Sequence, residues 1–260
     1  MLKINKIYNE CCLETLKNLS DNSVNCCITS PPYNMNLRIR NGKYCSRQIT
    51  KELTTKYVNF DDNLDIKSYN QFHSNVMSEL LRVCDLIFYN VQIVTGSKRS
   101  IFKMIGDYSE YLKDIIIWDK CYAEPSIHEG VLNRRSELIL IFTKNNSISR
   151  EFKNCNFKRG ELSDIWQIQK EKIQHEKHKA IFSKKLVKTI IENFTNKNDL
   201  IYDPFIGTGT TAVVAKSMGR HYLGSELLKD YVDIANQKIH DQTSLPLFNN
   251  YKFEQKNLLK

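Results

Sequence analysis

The sequence predicts an α/β fold in which a mostly parallel sheet carries helices on both faces. Short apolar runs alternate with segments whose apolar residues recur at helical spacing, which is typical of strands joined by crossover helices. A glycine-rich segment at 203–210 lies where a predicted strand passes into a predicted helix. The 260 residues, 41% of them apolar and 26% charged, are enough for one large domain with a buried core.

Seven strands and three helices follow from these patterns. Each strand is a short apolar run, and each helix is a longer segment with apolar residues three and four positions apart. In chain order the predicted strands are 4–8, 24–29, 86–91, 115–118, 137–142, 200–202 and 221–224. The predicted helices are 69–83, 184–194 and 210–218.

Charge and cysteine usage narrow the class of protein. Lys and Arg number 38 against 29 Asp and Glu, so the formal net charge of +9 suits a polyanionic partner. The eight cysteines form no Cys-x-x-Cys pair, and the six histidines show no metal-ligand spacing. We therefore expect reduced thiols in a cytoplasmic protein without a metal site. No apolar run approaches the roughly 18 residues of a membrane span, so we expect no membrane association.

Two basic segments interrupt the alternation of strands and helices. Residues 35–57 contain six Lys or Arg and one acid, and residues 144–185 contain eleven Lys or Arg and five acids. We expect one domain over 1–240 with basic recognition insertions at about 35–60 and 144–180, and a peripheral tail over 241–260. Solvated surface loops are the alternative for either segment taken alone.

The stretch CCITSPPYN at 26–34 is unusual for the end of a core strand. An apolar run stops at Ser30, which is followed by Pro31, Pro32 and the aromatic Tyr33. Two prolines fix the backbone in a turn that can relax into neither helix nor sheet, so the groups of the turn point in set directions. The sequence therefore predicts a rigid turn directly after this strand.

A second informative stretch, DPFIGTGT, occupies 203–210. Glycines at a strand-to-helix turn let a ligand approach the backbone closely, and the helix start offers free N–H donors. Glu226 follows the next predicted strand, where an acid can accept hydrogen bonds from ribose hydroxyls. Loops that leave neighbouring parallel strands face the same crevice, so we expect Ser30 and Asp203 to lie close together.

These two motifs resemble those of DNA methyltransferases that modify exocyclic amino groups. Thr29 to Asn34 (TSPPYN) resembles their catalytic (Asp/Asn/Ser)-Pro-Pro-(Tyr/Phe/Trp) motif, and DPFIGTGT resembles their S-adenosylmethionine-binding loop. The catalytic motif comes first, which resembles the β arrangement of the family. The likeness spans about 4–240 and includes ECCLETL at 10–16 and HKAIFSKKL at 178–186. It implies a Rossmann-like class I methyltransferase sheet, S-adenosylmethionine as cofactor and double-stranded DNA as partner.

The resemblance also implies roles for individual residues. The catalytic turn comprises Ser30, Pro31, Pro32 and Tyr33, whose ring would stack on a base extruded from the duplex. The expected cofactor contacts are Asp203, Pro204, Phe205, Gly207, Thr208, Gly209, Thr210, Glu226 and Phe182, the last in a segment that closes over the methionine end. The expected substrate contacts are Asn34, Glu10, Arg38, Arg40, Arg134 and Arg135.

The target base is open between two amino groups. Ser at the first motif position is commonly associated in this family with N4 of cytosine, which we favour slightly, whereas Asn34 is frequent in enzymes that act on N6 of adenine. Methylation of cytosine at carbon 5 is disfavoured, because its Cys nucleophile follows a proline and no Pro-Cys occurs here. Further alternatives are an RNA or protein-glutamine methyltransferase and an inactive DNA-binding module. A cognate restriction endonuclease, and a monomer or a homodimer, are also left open.

Overall fold

The computed structural model describes residues 2–34, 64–94, 97–123, 125, 129–145, 149–170 and 182–243, together with the backbone of 37–40 and 43–46. Within this part of the chain there are ten strands, six α-helices and one 3₁₀ turn. The strands are β1 (Lys6–Tyr8), β2 (Val24–Thr29), β3 (Leu37–Arg40), β4 (Lys43–Ser46), β5 (Cys84–Val91), β6 (Leu112–Asp119), β7 (Ser136–Phe142), β8 (Ile165–Gln167), β9 (Leu200–Asp203) and β10 (His221–Ser225). The helices are α1 (Cys12–Lys17), α2 (Ile66–Val83), α3 (Lys98–Asp107), α4 (Lys184–Phe194), α5 (Thr210–Ser217) and α6 (Lys229–Thr243).

Eight of the strands form one sheet in the order β1-β10-β9-β2-β5-β7-β6-β8. Neighbouring strands are parallel except for β7, which runs antiparallel to both β5 and β6. The chain leaves β9 through α5 towards β10 on one side, and leaves β2 towards β5 on the other. The boundary between β2 and β9 is therefore the topological switch point, where open α/β sheets form their ligand crevice. The predicted fold class is confirmed.

Helices cover both faces of this sheet and divide the core in two. On one face, α4 and α5 pack against apolar side chains of the central strands, including Ile28, Phe88 and Ile141. On the other face, α1, α2 and α3 pack against residues such as Cys27, Tyr89 and Leu140. Side chains alternate between faces along each strand, so β2 contributes to both cores. No helix in the described part of the chain is long and apolar enough to span a membrane.

All seven predicted strands and all three predicted helices are present, with ends displaced by at most three residues. The predictions missed α1, α3, α6 and the short strands β3, β4 and β8. The helix α6 carried a readable signal, because Val232, Ala235 and Ile239 recur at helical spacing and are buried. Three-residue strands such as β8 are fixed by pairing with a distant partner, which local sequence does not report.

The two basic segments differ in how much the structure describes. Within 35–60, the backbone forms an antiparallel hairpin of β3 and β4, in which Arg38 pairs with Cys45. Within 144–180, residues 149–170 are more than a surface insertion, because Ile165 of β8 pairs with Ile117 of β6 at the sheet edge. Trp166 is buried there against the core. Residues 171–180 and the tail after 243 lie outside the described residues.

Candidate active site

Two loops meet at the switch point: the proline turn (30–34), which follows β2, and the glycine loop (203–210), which begins at the end of β9. The parallel pairing of Cys27 with Tyr202 aligns the two strand ends. Thr29 Oγ1 then donates a hydrogen bond to Asp203 Oδ1 over 2.7 Å, and both side chains are buried. The predicted convergence of the two motifs is confirmed, although 174 positions separate these residues in the sequence.

Asp203 is the shared anchor of the two loops. Besides Thr29, its Oδ1 accepts the backbone N–H of Phe205 at 3.1 Å, and its Oδ2 accepts the Thr211 hydroxyl at 2.7 Å. Burial raises the pKa of this carboxyl to about 6, against the hydrogen bonds from Thr211, Thr29 and Phe205, which favour the charged form. Both oxygens therefore bond within the chain, so Asp203 shapes the glycine loop from beneath.

The glycine loop contains two glycines with left-handed backbone angles and different surroundings. Gly207 (φ 52°) would place a Cβ in open space, so a ligand can approach its backbone. Gly209 (φ 87°) would place a Cβ 2.6 Å from the Cβ of Ala235, because α6 packs directly on this position. Glu226 joins the loop from the end of β10 by accepting the N–H of Gly207 at 3.1 Å. Burial raises the pKa of the Glu226 carboxyl.

Three other predicted cofactor contacts of this loop, Phe205, Thr208 and Thr210, lie just before or at the start of α5. Thr210 begins α5, and Lys238 from α6 donates to the Thr208 hydroxyl at 3.2 Å. Phe205 is half-buried with its ring centroid 5.8 Å from that of Phe72. The members of the glycine loop that are buried are Asp203, Pro204, Ile206, Thr208, Gly209 and Thr210. The loop therefore turns mainly backbone towards the crevice, with Gly207 and Phe205 its more accessible members.

The proline turn is fixed from below. Pro31 and Pro32 are buried, and the Tyr69 hydroxyl of α2 donates to the Pro32 carbonyl at 2.7 Å. Asn34 adopts a left-handed backbone angle (φ 51°) and is fully buried, with its Nδ2 donating to the Leu64 carbonyl at 2.8 Å. The Nδ2 of Asn34 therefore helps to shape the turn, and its contact with substrate stays a prediction. Ser30 and Tyr33 remain half-buried and reach the crevice.

Two polar residues that the sequence analysis missed, Asn90 and Glu137, bond to the proline turn, and a third, Lys120, bonds to Glu137. Asn90 at the end of β5 donates its Nδ2 to the Tyr33 hydroxyl at 2.9 Å and to Glu137 Oε2 at 2.8 Å. The Tyr33 hydroxyl donates to the same Glu137 oxygen at 3.1 Å and lies 2.8 Å from Ser30 Oγ. Lys120 forms an ion pair with Glu137 over 3.2 Å. Asn90 and Glu137 lie on strands next to each other, and polar residues at adjacent strand ends were the available signal.

Two further predicted substrate contacts, Glu10 and Arg135, lie on opposite sides of the proline turn along the sheet. Glu10 follows β1, three strand positions from β2, and accepts the Thr15 hydroxyl at 2.7 Å. Its predicted contact with substrate stays a prediction, and β1 borders the glycine-loop half of the crevice. Arg135 lies in the loop between β6 and β7, where its guanidinium Nη2 donates to Asp119 Oδ2 at 2.6 Å.

Arg134 is exposed in the same loop, which opens at the crevice edge of the sheet. Arg38 and Arg40 lie on β3, and their side chains are outside the described residues. Phe182, predicted to close over a cofactor, is half-buried and packs on the core just before α4. Among the described residues, no group of three or more His, Cys, Asp or Glu has the placement to bind a metal ion.

This arrangement presents hydrogen-bond acceptors on one side and open backbone on the other. The Ser30 hydroxyl has lone pairs that can accept N–H donors, and Gly207 leaves open space above its backbone beside the Glu226 carboxylate. Fixed acceptors and open backbone of this kind can orient bound ligands.

Comparison with known proteins agrees with this geometry. The chain is 27% identical to the type II methyltransferase M.BglII of Bacillus subtilis, over 90% of this chain and 68% of that protein. It is 26% identical to the type II methyltransferase M2.MboI of Moraxella bovis, over 96% of this chain and 92% of that protein.

Two solved structures share the fold. The cytosine-N4-specific PvuII DNA methyltransferase superposes with a TM-score of 0.66 at 17% identity, covering 93% of this chain and 94% of that one. M1.HpyAVI, solved as a complex with S-adenosylmethionine, superposes with a TM-score of 0.60 at 20% identity, covering 90% and 98%. The sequence model of the N6/N4 family described as DNA methylase matches residues 24–237, and the chain belongs to that family.

Proposed function

We propose that this protein transfers a methyl group from S-adenosylmethionine to an exocyclic amino nitrogen of a base in double-stranded DNA, as a type II modification enzyme. The observation that carries the proposal is the bond from Thr29 to Asp203, which brings the proline turn and the glycine loop to one crevice. The relatives at 26 to 27% identity, which span nearly the whole chain, are type II methyltransferases.

The glycine loop fits the cofactor. Open space over Gly207 admits a ligand next to the backbone, and the Glu226 carboxylate lies beside it with lone pairs left for ribose hydroxyls. We expect Phe182, which lies just before α4, to cover the other end of the ligand. The bound cofactor would supply a methyl group on a positively charged sulfur, which needs no metal or covalent intermediate to react.

The proline turn fits the amino group. An exocyclic amino nitrogen is a weak nucleophile, because its lone pair is delocalised into the ring. Hydrogen bonds accepted from its two N–H groups by Ser30 Oγ and the Pro31 carbonyl favour a pyramidal nitrogen with a localised lone pair. Rigid acceptors act more strongly here than solvent, since they need no reorganisation as charge develops. Pro31 and Pro32 supply that rigidity, and the half-buried Tyr33 ring can stack on the base.

Duplex DNA would approach the crevice edge of the sheet. The amino group cannot be reached inside a stacked helix, so the base is extruded into the crevice. Arg134 in the exposed loop between β6 and β7, and the basic hairpin with Arg38 and Arg40, are the proposed phosphate or base contacts. Arg135 can join them only by leaving its ion pair with Asp119.

Cytosine N4 is the proposed target, with adenine N6 as the alternative. Ser30 at the first motif position supports cytosine. Asn34, which is frequent in enzymes that act on adenine, is buried and donates its Nδ2 to Leu64, and it supports the alternative.

The test is labelled methyl transfer to duplex DNA, RNA and protein in parallel, followed by digestion of the DNA to nucleosides and identification of the product by mass. We expect N4-methylcytosine from DNA and no transfer to the other substrates. Ser30→Ala should lower the rate at least about 100-fold, with a nearly unchanged heat of S-adenosylmethionine binding. Ser20→Ala, at an exposed position, is the matched control and should behave as the unmodified protein.

Each outcome bears on a different part of the proposal. N6-methyladenine alone would reverse the choice of base. Transfer to RNA or protein without transfer to DNA would overturn the substrate class. A protein that binds no S-adenosylmethionine would be an inactive DNA-binding module, and full activity of Ser30→Ala would refute the assignment of the proline turn.

A further inference from the structure

We propose that Asn90 and Glu137 are positioning residues that direct the Ser30 hydroxyl proton away from the crevice, so that Ser30 Oγ meets the substrate amino group as an acceptor. The inference rests on the proposed function and adds two residues to it. A serine hydroxyl can donate or accept, and only accepting an N–H makes the amino nitrogen a better nucleophile. A serine that donated to that nitrogen would occupy the lone pair that has to attack the methyl group.

The Tyr33 hydroxyl has a single proton, which it can donate to only one neighbour at a time. Glu137 Oε2 lies 3.1 Å from that hydroxyl, and an ionised carboxylate can only accept. A hydrogen bond to a charged acceptor is about twice as strong as one between neutral groups, so the Tyr33 proton belongs to Glu137. The Tyr33 oxygen is then left with lone pairs towards its other neighbours.

Asn90 strengthens this direction. Its Nδ2 carries two protons and lies 2.8 Å from Glu137 Oε2 and 2.9 Å from the Tyr33 oxygen, so both groups receive donors from it. The opposite orientation of the amide would turn Oδ1 towards the carboxylate, which repels it. Asn90 Oδ1 is buried and has no partner among the described residues, so the amide orientation is set by the Nδ2 side alone.

The Ser30 hydroxyl is the last member of this series of hydrogen bonds. Ser30 Oγ and the Tyr33 oxygen are 2.8 Å apart, and either atom could donate by distance alone. Because the Tyr33 proton is directed to Glu137, Ser30 must donate to Tyr33. Asn90 Nδ2 also lies 3.4 Å from Ser30 Oγ, and this nitrogen has no lone pair to accept the Ser30 proton. Ser30 therefore keeps a lone pair for the crevice.

Lys120 fixes how a Gln at position 137 would be oriented, so a variant can test in which direction the hydrogen bonds donate. Its Nζ lies 3.2 Å from Glu137 Oε1, and both side chains are only 11% exposed. In Glu137→Gln, the amide oxygen will face this lysine, so the amide nitrogen will face Tyr33 as a donor. Tyr33 can then donate its proton to Ser30, and Ser30 turns its own proton towards the crevice. Asn90 could accept the Gln proton instead only if its amide rotated. Its NH₂ group would then lie at the buried position where Asn90 Oδ1 now has no partner.

The experiment is a double-mutant cycle on single-turnover methyl transfer to DNA, at saturating S-adenosylmethionine. Glu137→Gln should slow transfer about 30- to 100-fold. Tyr33→Phe, which removes the relay without adding a donor, should slow it about tenfold. The double variant should match Tyr33→Phe within about threefold and be faster than Glu137→Gln, because the Gln acts on Ser30 through the Tyr33 hydroxyl. Dissociation constants for cofactor and DNA should change by less than about threefold in all three.

Several results would count against the inference. Losses that multiply in the double variant would show that Glu137 acts independently of Tyr33, and full activity of Glu137→Gln would remove its role. Glu129→Gln removes the same charge from the exposed loop before β7 and should leave the rate unchanged. Tyr33→Phe leaves the ion pair with Lys120 intact, so it tests the relay even if Glu137→Gln folds poorly. An unmodified protein without transfer would contradict both proposals, whereas an active one with multiplied losses would contradict this one alone.

Discussion

The two loops of the crevice are stabilised by contacts of very different sequence separation. Apart from the bond between Thr29 and Asp203, which joins the two loops, Asp203 accepts bonds from residues two and eight positions further along the chain. In the proline turn, Tyr33 bonds to Asn90, 57 positions away, and to Glu137, 104 positions away. One loop is therefore largely organised by its own motif, and the other by side chains that only the folded sheet brings together.

The two loops also present different kinds of groups, and these groups are oriented in different ways. The glycine loop presents backbone, whose geometry follows from glycines and one buried carboxylate. The proline turn presents a hydroxyl, whose proton can point in several directions unless neighbours decide it. Prolines fix the backbone beneath Ser30, but the side-chain direction needs donors and acceptors from β5 and β7.

The largest expected effect comes from the two glycines of the glycine loop. Gly209→Ala should destabilise the protein by about 3 kcal/mol, because the new Cβ would lie 2.6 Å from Ala235 and the residue has a left-handed backbone angle. Gly207→Ala should cost only about 1 kcal/mol, since its Cβ would meet open space. Denaturant unfolding of both variants measures the difference.

The same pair tests what each glycine does. Gly207→Ala should weaken S-adenosylmethionine binding in calorimetry although the variant stays folded, because the methyl group occupies the space of the ligand. Equal losses of stability in the two variants would contradict the distinction between a packing glycine and an approach glycine. Normal cofactor affinity in Gly207→Ala would contradict the proposed cofactor position.

The contrast between the loops also explains what the sequence could predict. DPFIGTGT and Glu226 were found because their contacts lie within one strand–helix–strand unit, and the sheet brought them together as predicted. Asn90, Lys120 and Glu137 were missed because each is an ordinary polar residue until β5, β6 and β7 pair. The bond from Asn34 to Leu64 could not be predicted for the same reason, because the two residues lie 30 positions apart.

Asp203 belongs to both loops, and its titration gives the second prediction. The pKa of this carboxyl is about 6 in the folded protein, above its ordinary 3.8, because burial disfavours the charge. The folded state therefore binds the proton more tightly than the unfolded state. The contribution of this group to stability is fully present below about pH 4 and is lost as the pH rises to about 6.

Asp203→Asn cannot titrate, so the stability of the unmodified protein relative to this variant should fall between pH 4 and pH 6 and stay constant above. Chemical denaturation at several pH values measures this difference. Asp230→Asn, at an exposed aspartate, is the matched control and should show no such fall. A relative stability that rises with pH over this range would mean that the hydrogen bonds outweigh burial at Asp203 and that the pKa is lowered.

The last prediction concerns the two threonines that bond to Asp203. Thr29→Val and Thr211→Val each remove one hydroxyl that donates over 2.7 Å to the same carboxylate, so each should cost about 1.5 kcal/mol of stability. Their functional effects should differ, because Thr211 belongs to α5 behind the glycine loop whereas Thr29 directly precedes Ser30. Thr211→Val should weaken cofactor binding and recover its full rate at saturating cofactor.

Thr29→Val should transfer the methyl group more slowly than the unmodified protein even at saturating cofactor, because it loosens the strand end that positions Ser30 against the glycine loop. Single-turnover transfer over a range of cofactor concentrations separates the two patterns. Identical patterns in both variants would mean that the bond from Thr29 to Asp203 stabilises the fold without aligning the two loops. The alignment would then come from the pairing of β2 with β9 alone, and the hydroxyl at the strand end would be dispensable for transfer.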